Sequence, residues 1–450
     1  MEYVDGNERR FGAEDLFFST TDTKGVIRRT NRVFDSLSRY SAEELVGSPH
    51  NIIRHDDMPA GVFKLMWDDL EAGLPVCTYV LNRAGDGLDY WVFATVTAVE
   101  DGYVSVRTKP LDQDAFATVR GIYQRVRAIE RECIAQGLPR RKVAERGAQA
   151  LLAELETLGY GSLSAFGRAA LPQEAQLLLR AGVRVPVRER SDDAADRILE
   201  LARTIEHDSD TLVGQVGGYR ELLAGLGGWM EQPPAIIRRA RRTGELVAMF
   251  DSQDAESSVP DVSERVSERT ARAVEQLGGL TSTVGALVSA VAQLSFRASL
   301  MRLHTLVLGI YAAAVVDGTE DDVPRAMTEL SHALAEDLAD IGPVCNAIVT
   351  RSDELDELMR SVVSDLDRTR RPFDRWLRAL QDEHASLREG VEGDVLALLG
   401  EAERLSEAGF PEMSALATLA ARCRGLDFSY NSDAMQGTMA AVADAIGDLV

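Results

Sequence analysis

A short segment near the N-terminus concentrates the side-chain types that can bind a ligand. An arginine guanidinium can hold a phosphate through two parallel hydrogen bonds, and a tryptophan indole offers a flat face to a planar ring. Two histidines and two carboxylates lie in the same polar, proline-bounded segment. The residues concerned are Pro49, His50, Asn51, Arg54, His55, Asp56, Asp57, Pro59, Phe63, Met66 and Trp67. Their density predicts an enclosed cofactor site.

Each of these side chains also has a structural interpretation. His50 or His55 alone would more often be a hydrogen-bonded structural histidine, and Trp67 alone would more often belong to a hydrophobic core. Arg54 with Asp56 or Asp57 would more often form a surface ion pair, which contributes little to stability. The occurrence of all these residue types in one short stretch is what favours a binding site.

The elements that must position this segment are strands and short helices. Three runs rich in β-branched and aromatic residues predict strands. They span residues 78–81, 90–99 and 103–108. Glycine-containing stretches at residues 22–25 and 85–87 predict hairpin turns. Short helices are predicted after Asn31 and after Ser41, where Glu44 completes a capping box. The first 112 residues are therefore a small α+β module with an antiparallel sheet.

Several pieces of this module occur in a recognisable order and spacing. They are Ser19-Thr20-Thr21-Asp22, Asn31, residues 47–59, Met66-Trp67, Asn82-Arg83, Tyr90-Trp91-Val92 and Ser105-Val106-Arg107-Thr108. Over residues 14–112 they resemble the PAS domain of the bacterial aerotaxis receptor. The resemblance implies a five-stranded antiparallel sheet with flanking helices, and FAD held non-covalently as a reporter of redox state. The positions that match the flavin site of that family are Asn31, Arg54, His55, Asp57 and Trp67, with His50 nearby.

The resemblance leaves other cofactors and functions open. Related PAS domains bind haem through a histidine, so haem b is the second cofactor candidate. The sequence departs from the family pattern at Asp56, at Val76 and at Ala84-Gly85-Asp86. These departures make a cofactor-free interaction scaffold the alternative function. A small ligand other than flavin is a third possibility.

Composition excludes several classes of protein. With 72 acidic and 49 basic residues, the formal net charge is -23, which argues against nucleic acids and anionic lipid surfaces as partners. The four cysteines are far apart, so they predict neither disulfides nor a zinc site. The polar residues after Met1 indicate no signal peptide and favour a cytoplasmic protein. We find no phosphate-binding loop, HExxH or GxSxG motif, and we expect no enzymatic activity.

The rest of the chain is predicted to be helical, in three segments. A connector of several helices spans residues 113–258, an antiparallel coiled-coil hairpin spans residues 259–371, and further helices span residues 372–450. Helix breaks are predicted at residues 137–139, at 159–161, at Leu171-Pro172, at 227–228 and at 233–234. The best linker candidate is Asp251 to Pro260.

The hairpin has apolar residues at alternating steps of three and four from Val266 to Val315, with Thr270 and Thr305 at two of the steps, which is an a/d heptad seam. A second seam runs from Val323 to Leu366, and Asp317 to Asp322 form the turn between them. Because two helices alone bury such seams poorly, we predict a homodimer that forms a four-helix bundle. Residues 294–334 faintly resemble a degenerate chemoreceptor signalling tip, and this resemblance implies an unidentified signalling partner related to chemotaxis.

One uncharged stretch, Leu277 to Phe296, is long enough to cross a bilayer. It contains several serine, threonine and glutamine residues, and its hydrophobicity forms a stripe, so we expect no membrane span. The sequence as a whole predicts a cytoplasmic PAS sensor of redox state or oxygen. In this hypothesis the bound FAD acts through a dimeric helical bundle.

Overall fold

The computed structural model of the chain describes residues 3–5, 7–188, 193–253, 260–319, 323–385, 393–426 and 430–449. Its N-terminal part contains strands and short helices. The strands are β1 (Tyr3–Asp5), β2 (Glu8–Arg10), β3 (Phe17–Asp22), β4 (Ile27–Thr30), β5 (Val76–Arg83), β6 (Asp89–Val99) and β7 (Gly102–Thr108). The helices are α1 (Arg32–Ser38), α2 (Ala42–Leu45), a 3-10 helix (His50–Ile53) and α3 (Ala60–Glu71).

Five of the strands form the antiparallel sheet that the resemblance implies, in the order β4-β3-β7-β6-β5. Two more strands, β1 and β2, pair with each other, and β2 joins β6 in parallel through Glu8 and Asp89. The described sheet therefore has seven strands and is mixed. The sequence did not indicate the extra pair because three-residue strands are too short to show an alternating pattern.

The predicted local signals lie where the sequence placed them. Ser41 and Glu44 form a reciprocal capping box at the start of α2. Gly25 has a φ of 77° and donates its N–H to the carbonyl of Asp22, which closes the turn between β3 and β4. A Cβ atom at Gly25 would lie 3.2 Å from the ring of Trp67, so glycine also permits this close approach.

Beyond residue 112 the described chain is largely helical. The helices are α4 (Gln113–Ala135), α5 (Arg140–Thr157), α6 (Leu163–Arg180), α7 (Ala194–Trp229), α8 (Pro233–Gln253), α9 (Pro260–Val316), α10 (Val323–Ala385), α11 (Gly393–Ala408), α12 (Met413–Arg424) and α13 (Ser432–Gly447). The predicted breaks at 137–139, 159–161 and 233–234 are confirmed, whereas the break predicted at 227–228 is wrong because α7 continues through both glycines to Trp229. The predicted break at Leu171-Pro172 is wrong, because Pro172 lies inside α6. Both residues are buried there, and this packing maintains the helix although proline lacks the N–H of a regular turn.

Two further predicted features differ from the structure or lie partly outside it. Residues 254–259 of the predicted linker and residues 320–322 of the predicted hairpin turn are outside the described residues. At residue 372, where the sequence predicts a new segment, α10 continues through Pro372 to Ala385. Phe373 and Trp376, directly after this proline, are buried and stack at 5.3 Å.

The chain divides into two compact units. The first combines Met1–Val213, Ala292–Pro343 and Tyr430–Val450, and the second combines Gly214–Val291 and Val344–Ser429. This division follows packing, whereas the four predicted segments (1–112, 113–258, 259–371 and 372–450) follow chain order.

Within each unit, α9 and α10 pair in antiparallel fashion. In the second unit the side chain of Gln276 donates to Ser361 at 2.7 Å, and Arg269 donates to the carbonyl of Arg368. In the first unit Nδ1 of His304 lies 2.8 Å from a carboxylate oxygen of Asp337. The seam residues are buried, from Val266 to Ala312. The helical hairpin is thus present, and its coiled-coil character remains a prediction.

In the first unit, α9 packs on the outer face of the N-terminal sheet. The ring of Tyr311 meets that of Phe18 edge to face at 4.7 Å, and the Tyr311 hydroxyl donates to the carbonyl of Thr30 at 3.1 Å. Beside this contact Arg29 pairs with Glu329 at 2.5 Å. This packing helps to explain why residues 298–309 of α9 are buried on all sides.

The same packing bears on two sequence predictions. An apolar window within Glu264–Val316 meets the length and hydropathy of a membrane span, but 78% of it is buried inside the structure. Burial of this extent is typical of a core helix. The sequence predicts a dimer because the apolar seams of the hairpin would otherwise be poorly buried within one chain. In the first unit, however, the N-terminal sheet packs on α9 and buries part of its apolar surface. The homodimer therefore remains a prediction without this support.

We expect Tyr311→Ala to lower the free energy of unfolding by about 3–5 kcal/mol, because it removes a buried ring and its hydrogen bond. Tyr311→Phe should cost about 1 kcal/mol, the value of the hydroxyl bond. Tyr160→Phe is the matched control, since the Tyr160 hydroxyl makes no hydrogen bond within the described part of the chain. Urea unfolding measures all three, and an unchanged midpoint for Tyr311→Ala would contradict the docking of α9 on the sheet.

Candidate functional site

A cavity of about 270 Å³ lies between the inner face of the N-terminal sheet, α3 and the 3-10 helix. Its walls come from alternate residues of β5, β6 and β7, because successive side chains of a strand point to opposite faces. The lining residues are Thr21, Lys24, Gly25, Pro49, His50, Asn51, Arg54, Phe63, Met66, Trp67, Leu70, Val76, Thr78, Val80, Asn82, Ala94, Val96, Tyr103, Ser105 and Arg107. The volume is slightly below the ~300–1,000 Å³ typical of small-molecule sites.

The charge of the cavity is opposite to that of the protein. Three basic side chains line it, Lys24, Arg54 and Arg107, and the described lining contains no aspartate or glutamate. The chain as a whole carries a formal net charge of -23. Such a concentration of positive charge in a concave site attracts an anionic or electron-rich ligand.

Arg107 is the most deeply buried of these cations, with 5% of its surface exposed. Its guanidinium donates to Oγ of Ser19 at 3.0 Å and to Nε2 of His50 at 2.5 Å. It also lies over the ring of Phe34, 5.2 Å from the centroid. Burial lowers the pKa of Arg107 to about 10, so it remains charged at neutral pH.

His50 is held as a neutral imidazole. Burial, followed by the nearby positive charge of Arg107, lowers its pKa well below the usual value. Because Nε2 accepts a hydrogen bond from Arg107, the ring proton of the neutral imidazole belongs on Nδ1. The imidazole stacks on Phe34 with the centroids 5.9 Å apart, and both contacts fix the ring at the cavity wall.

Two polar groups in the wall have donors that no described protein group uses. The Arg54 guanidinium lies 3.9 Å above the ring of Phe63 and makes no hydrogen bond or ion pair with any residue that the structure describes. Nδ2 of Asn82 is buried and also has no hydrogen-bond partner in the described chain. Burial lowers the pKa of Arg54, and the carboxylate of Glu130 partly offsets this effect. A ligand with acceptor oxygens could satisfy both groups.

Aromatic residues supply the flat surfaces. Trp67 on α3 meets Tyr103 on β7 edge to face at 5.4 Å, and both line the cavity. Met66 and Phe63 complete the same wall from α3. Such a wall suits a planar ring, which can lie against an indole face.

Of the six residues that the sequence predicts for the site, the structure brings His50, Arg54 and Trp67 together at the cavity. Asn31 does not line it. Oδ1 of Asn31 accepts from the N–H groups of Phe34 and Phe18, and Nδ2 donates to the carbonyl of Leu16. This buried amide caps α1 and joins it to β3, so its hydrogen-bonding groups are used within the protein.

His55 and Asp57 also lie outside the cavity lining. Nδ1 of His55 accepts from the N–H of Asp57 at 2.9 Å, and Nε2 contacts Arg83 at 2.5 Å and Asp89 at 3.2 Å. The Asp57 carboxylate is half exposed and pairs with Arg131 on α4 at 2.5 Å. The structure thus gives both side chains protein partners, and their assignment to a flavin site remains a prediction.

The sequence analysis did not assign three lining residues that carry much of the chemistry: Asn82, Tyr103 and Arg107. Tyr103, Ser105 and Arg107 alternate along β7, and this period of two would have indicated that they share one face. The sequence gives no means of deciding that this face is the inner one, since the outer positions Val104 and Val106 are also buried.

The aerotaxis receptor of Escherichia coli (strain K12) is 35% identical over 131 residues, which are 28% of this chain and 26% of the receptor. The chain thus matches about a quarter of the length of that relative. No family model matches the chain.

Several solved PAS and light-oxygen-voltage domains align with a smaller part of the chain, between 21% and 24% of it. A PAS domain of a protein from Colwellia psychrerythraea is 18% identical, with a TM-score of 0.20, and covers 21% of this chain and 86% of its own. A light-oxygen-voltage domain studied with a flavin analogue is 21% identical, with a TM-score of 0.22. The match covers 24% of this chain and 85% of that domain's chain. The light-oxygen-voltage domain of the blue-light photoreceptor aureochrome1 in its light state is 24% identical, with a TM-score of 0.21. The match covers 23% of this chain and 89% of that domain's chain.

We expect Asn31→Ala to lower the free energy of unfolding by about 2 kcal/mol, because a buried cap and two further hydrogen bonds are lost. The exposed cap Asn431, which accepts from Ala434, is the matched control, and its replacement by alanine should cost about 0.5–1 kcal/mol. Urea unfolding measures both. A loss of ligand affinity in Asn31→Ala at unchanged stability would instead assign Asn31 to the ligand.

Proposed function

We propose that this chain, whose N-terminal region is a PAS domain, is a signal-transduction sensor that holds FAD in the cavity of that domain and senses redox state or oxygen. The observation that carries the proposal is a cavity with three basic side chains and no described acidic one, in a chain of net charge -23. FAD combines a planar ring with two phosphates, and these are the features that an aromatic, positively charged cavity recognises.

The unused donors fit the same ligand. Nδ2 of Asn82 can donate to a carbonyl oxygen of the ring system, and the face of Trp67 can lie against the ring. Arg54 and Lys24 can hold phosphate oxygens, and Lys24 is exposed at the edge of the cavity. A cavity of about 270 Å³ suits the ring system, so the phosphates would lie towards solvent. When bound, a flavin supplies a ring that can exchange electrons with a reductant or with oxygen.

Haem b remains the second candidate cofactor, with His50 as the one histidine in the described cavity lining. Its Nε2 already accepts from Arg107 at 2.5 Å, which makes it a poor iron ligand unless that bond breaks. This contact favours flavin over haem. In the cofactor-free alternative, the PAS domain would only bind partner proteins.

A route from the cavity to the helical region starts at Glu130 on α4. Its buried carboxylate accepts from the N–H groups of Ala60 and Gly61 at 2.9 and 2.8 Å, which caps the helix that carries Trp67. The same carboxylate interacts electrostatically with Arg54. A change in the charge of a ligand beside Arg54 would therefore alter the electrostatic interaction between Arg54 and Glu130. Because Glu130 also caps α3, the change would reach the start of that helix. We propose that the helices transmit this change to a signalling protein of the chemotaxis type, in a cytoplasmic homodimer.

The purified protein should show flavin absorbance at close to one flavin per chain. We expect Trp67→Ala and Arg54→Ala each to weaken FAD binding at least tenfold, or about 1.4 kcal/mol, through loss of the ring contact and of the phosphate contact. Absorbance and fluorescence titration of the apoprotein measure the dissociation constants.

The control for Arg54→Ala is Arg131→Ala, which removes an exposed guanidinium and its pair with Asp57 outside the cavity. It should leave FAD binding unchanged. A colourless protein that rejects both added FAD and haem would contradict the proposal. The scaffold function would then be favoured if the wild type, Trp67→Ala and Arg54→Ala pull down the same partner proteins in equal amounts.

A further inference from the structure

Arg107 is a buried positive charge without an acidic side chain to balance it. It forms no ion pair with any carboxylate that the structure describes, although it is among the most buried basic residues of the chain. Burying an unpaired charge is costly, and proteins usually pair such a group or leave it in water. The position of Arg107 in the cavity wall indicates that a ligand supplies the missing negative charge.

The protein partners of Arg107 do not neutralise it. Ser19 contributes a hydroxyl, and His50 contributes a neutral imidazole whose Nε2 accepts the hydrogen bond. The faces of Phe34 and Phe17, with centroids 5.2 and 5.8 Å away, offer only a weak attraction to the cation. These contacts fix the direction of the guanidinium and leave its full charge facing the cavity.

The two other basic lining residues lie in different surroundings. Lys24 is exposed at the turn between β3 and β4, where water screens its charge and Asp22 is near. Arg54 is partly buried and interacts with Glu130. Arg107 is therefore the cation whose field water and neighbouring acids weaken least, and it should discriminate most strongly between charge states of a ligand.

We propose that Arg107 makes the cavity bind the reduced, negatively charged form of the flavin more tightly than the oxidised, neutral form, and so raises the redox potential of the site. This inference rests on the proposed flavin function. Two electrons and one proton convert the neutral oxidised ring into a reduced ring with one negative charge, and an added reductant such as dithionite supplies the electrons. Arg107 stabilises the charge that appears in this conversion, so it is a determinant of the potential and takes no proton itself.

The experiment compares wild-type protein with Arg107→Gln, Arg107→Lys and the control Arg28→Gln, which removes an exposed arginine from β4. Each is loaded with FAD at one fixed pH. The midpoint potential is measured by reductive titration, and the affinity for oxidised FAD is measured separately by fluorescence. Together the two values give the affinity for the reduced form.

For Arg107→Gln we expect at least a tenfold loss of affinity for reduced FAD and little change for oxidised FAD. The midpoint potential should therefore fall by about 30 mV or more, the value of a tenfold change for a two-electron couple. Arg107→Lys keeps the charge and should retain most of the wild-type potential, and Arg28→Gln should match the wild type. A purely structural role for Arg107 would instead weaken both redox forms equally and leave the potential unchanged.

The wild-type protein provides a test that does not depend on the folding of a variant. Its bound flavin should have a midpoint potential at or above that of free FAD, and a value about 30 mV or more below it would overturn the inference. Wild-type protein that binds FAD, with a potential that Arg107→Gln does not change, would refute the role of Arg107 alone. Wild-type protein that binds no flavin would refute the proposed function and this inference together.

Discussion

The fold depends on a sheet whose two faces are both covered. Strand β3 shows this alternation most directly, because Phe17 and Ser19 face the cavity side while Phe18 packs on Tyr311 of α9. On β5, in the same way, Tyr79 reaches Glu174 of α6 on the outer face, and Asn82 faces the cavity. A sheet covered on both faces has no solvated side, so the inner cavity is enclosed between the sheet and α3.

The covered sheet places the positive charge of Arg107 where water is excluded. The surface of the protein can carry many carboxylates because water solvates them, whereas the cavity contains Arg107 with neutral partners. A buried group responds strongly to a nearby change of charge, since the surrounding medium screens it weakly. A redox cofactor changes its charge as it works, and the cavity therefore suits the proposed function better than it suits a passive binding surface.

The outer face of the sheet gives the helical region a direct contact with the domain that would bind the ligand. Tyr311 packs on Phe18, and the next residue of β3, Ser19, accepts a hydrogen bond from Arg107. Glu130 provides a second contact, at the start of α3. Two independent connections between cavity wall and helices are a physical basis for coupling, and coupling itself requires two states of these contacts.

The sequence by itself determined the local elements and the class of the fold. Turn glycines, the capping box at Ser41 and the β-branched runs predicted the strands and short helices, because these signals act over a few neighbouring residues. It also indicated His50, Arg54 and Trp67 as cavity residues. Only the tertiary structure decided that Asn31, His55 and Asp57 have protein partners, and that Arg107 and Asn82 face the cavity. These assignments depend on which face of a strand or helix is covered, and residues distant in the chain determine that. For the same reason the sequence predicted the seam of α9 but not the sheet against which α9 packs.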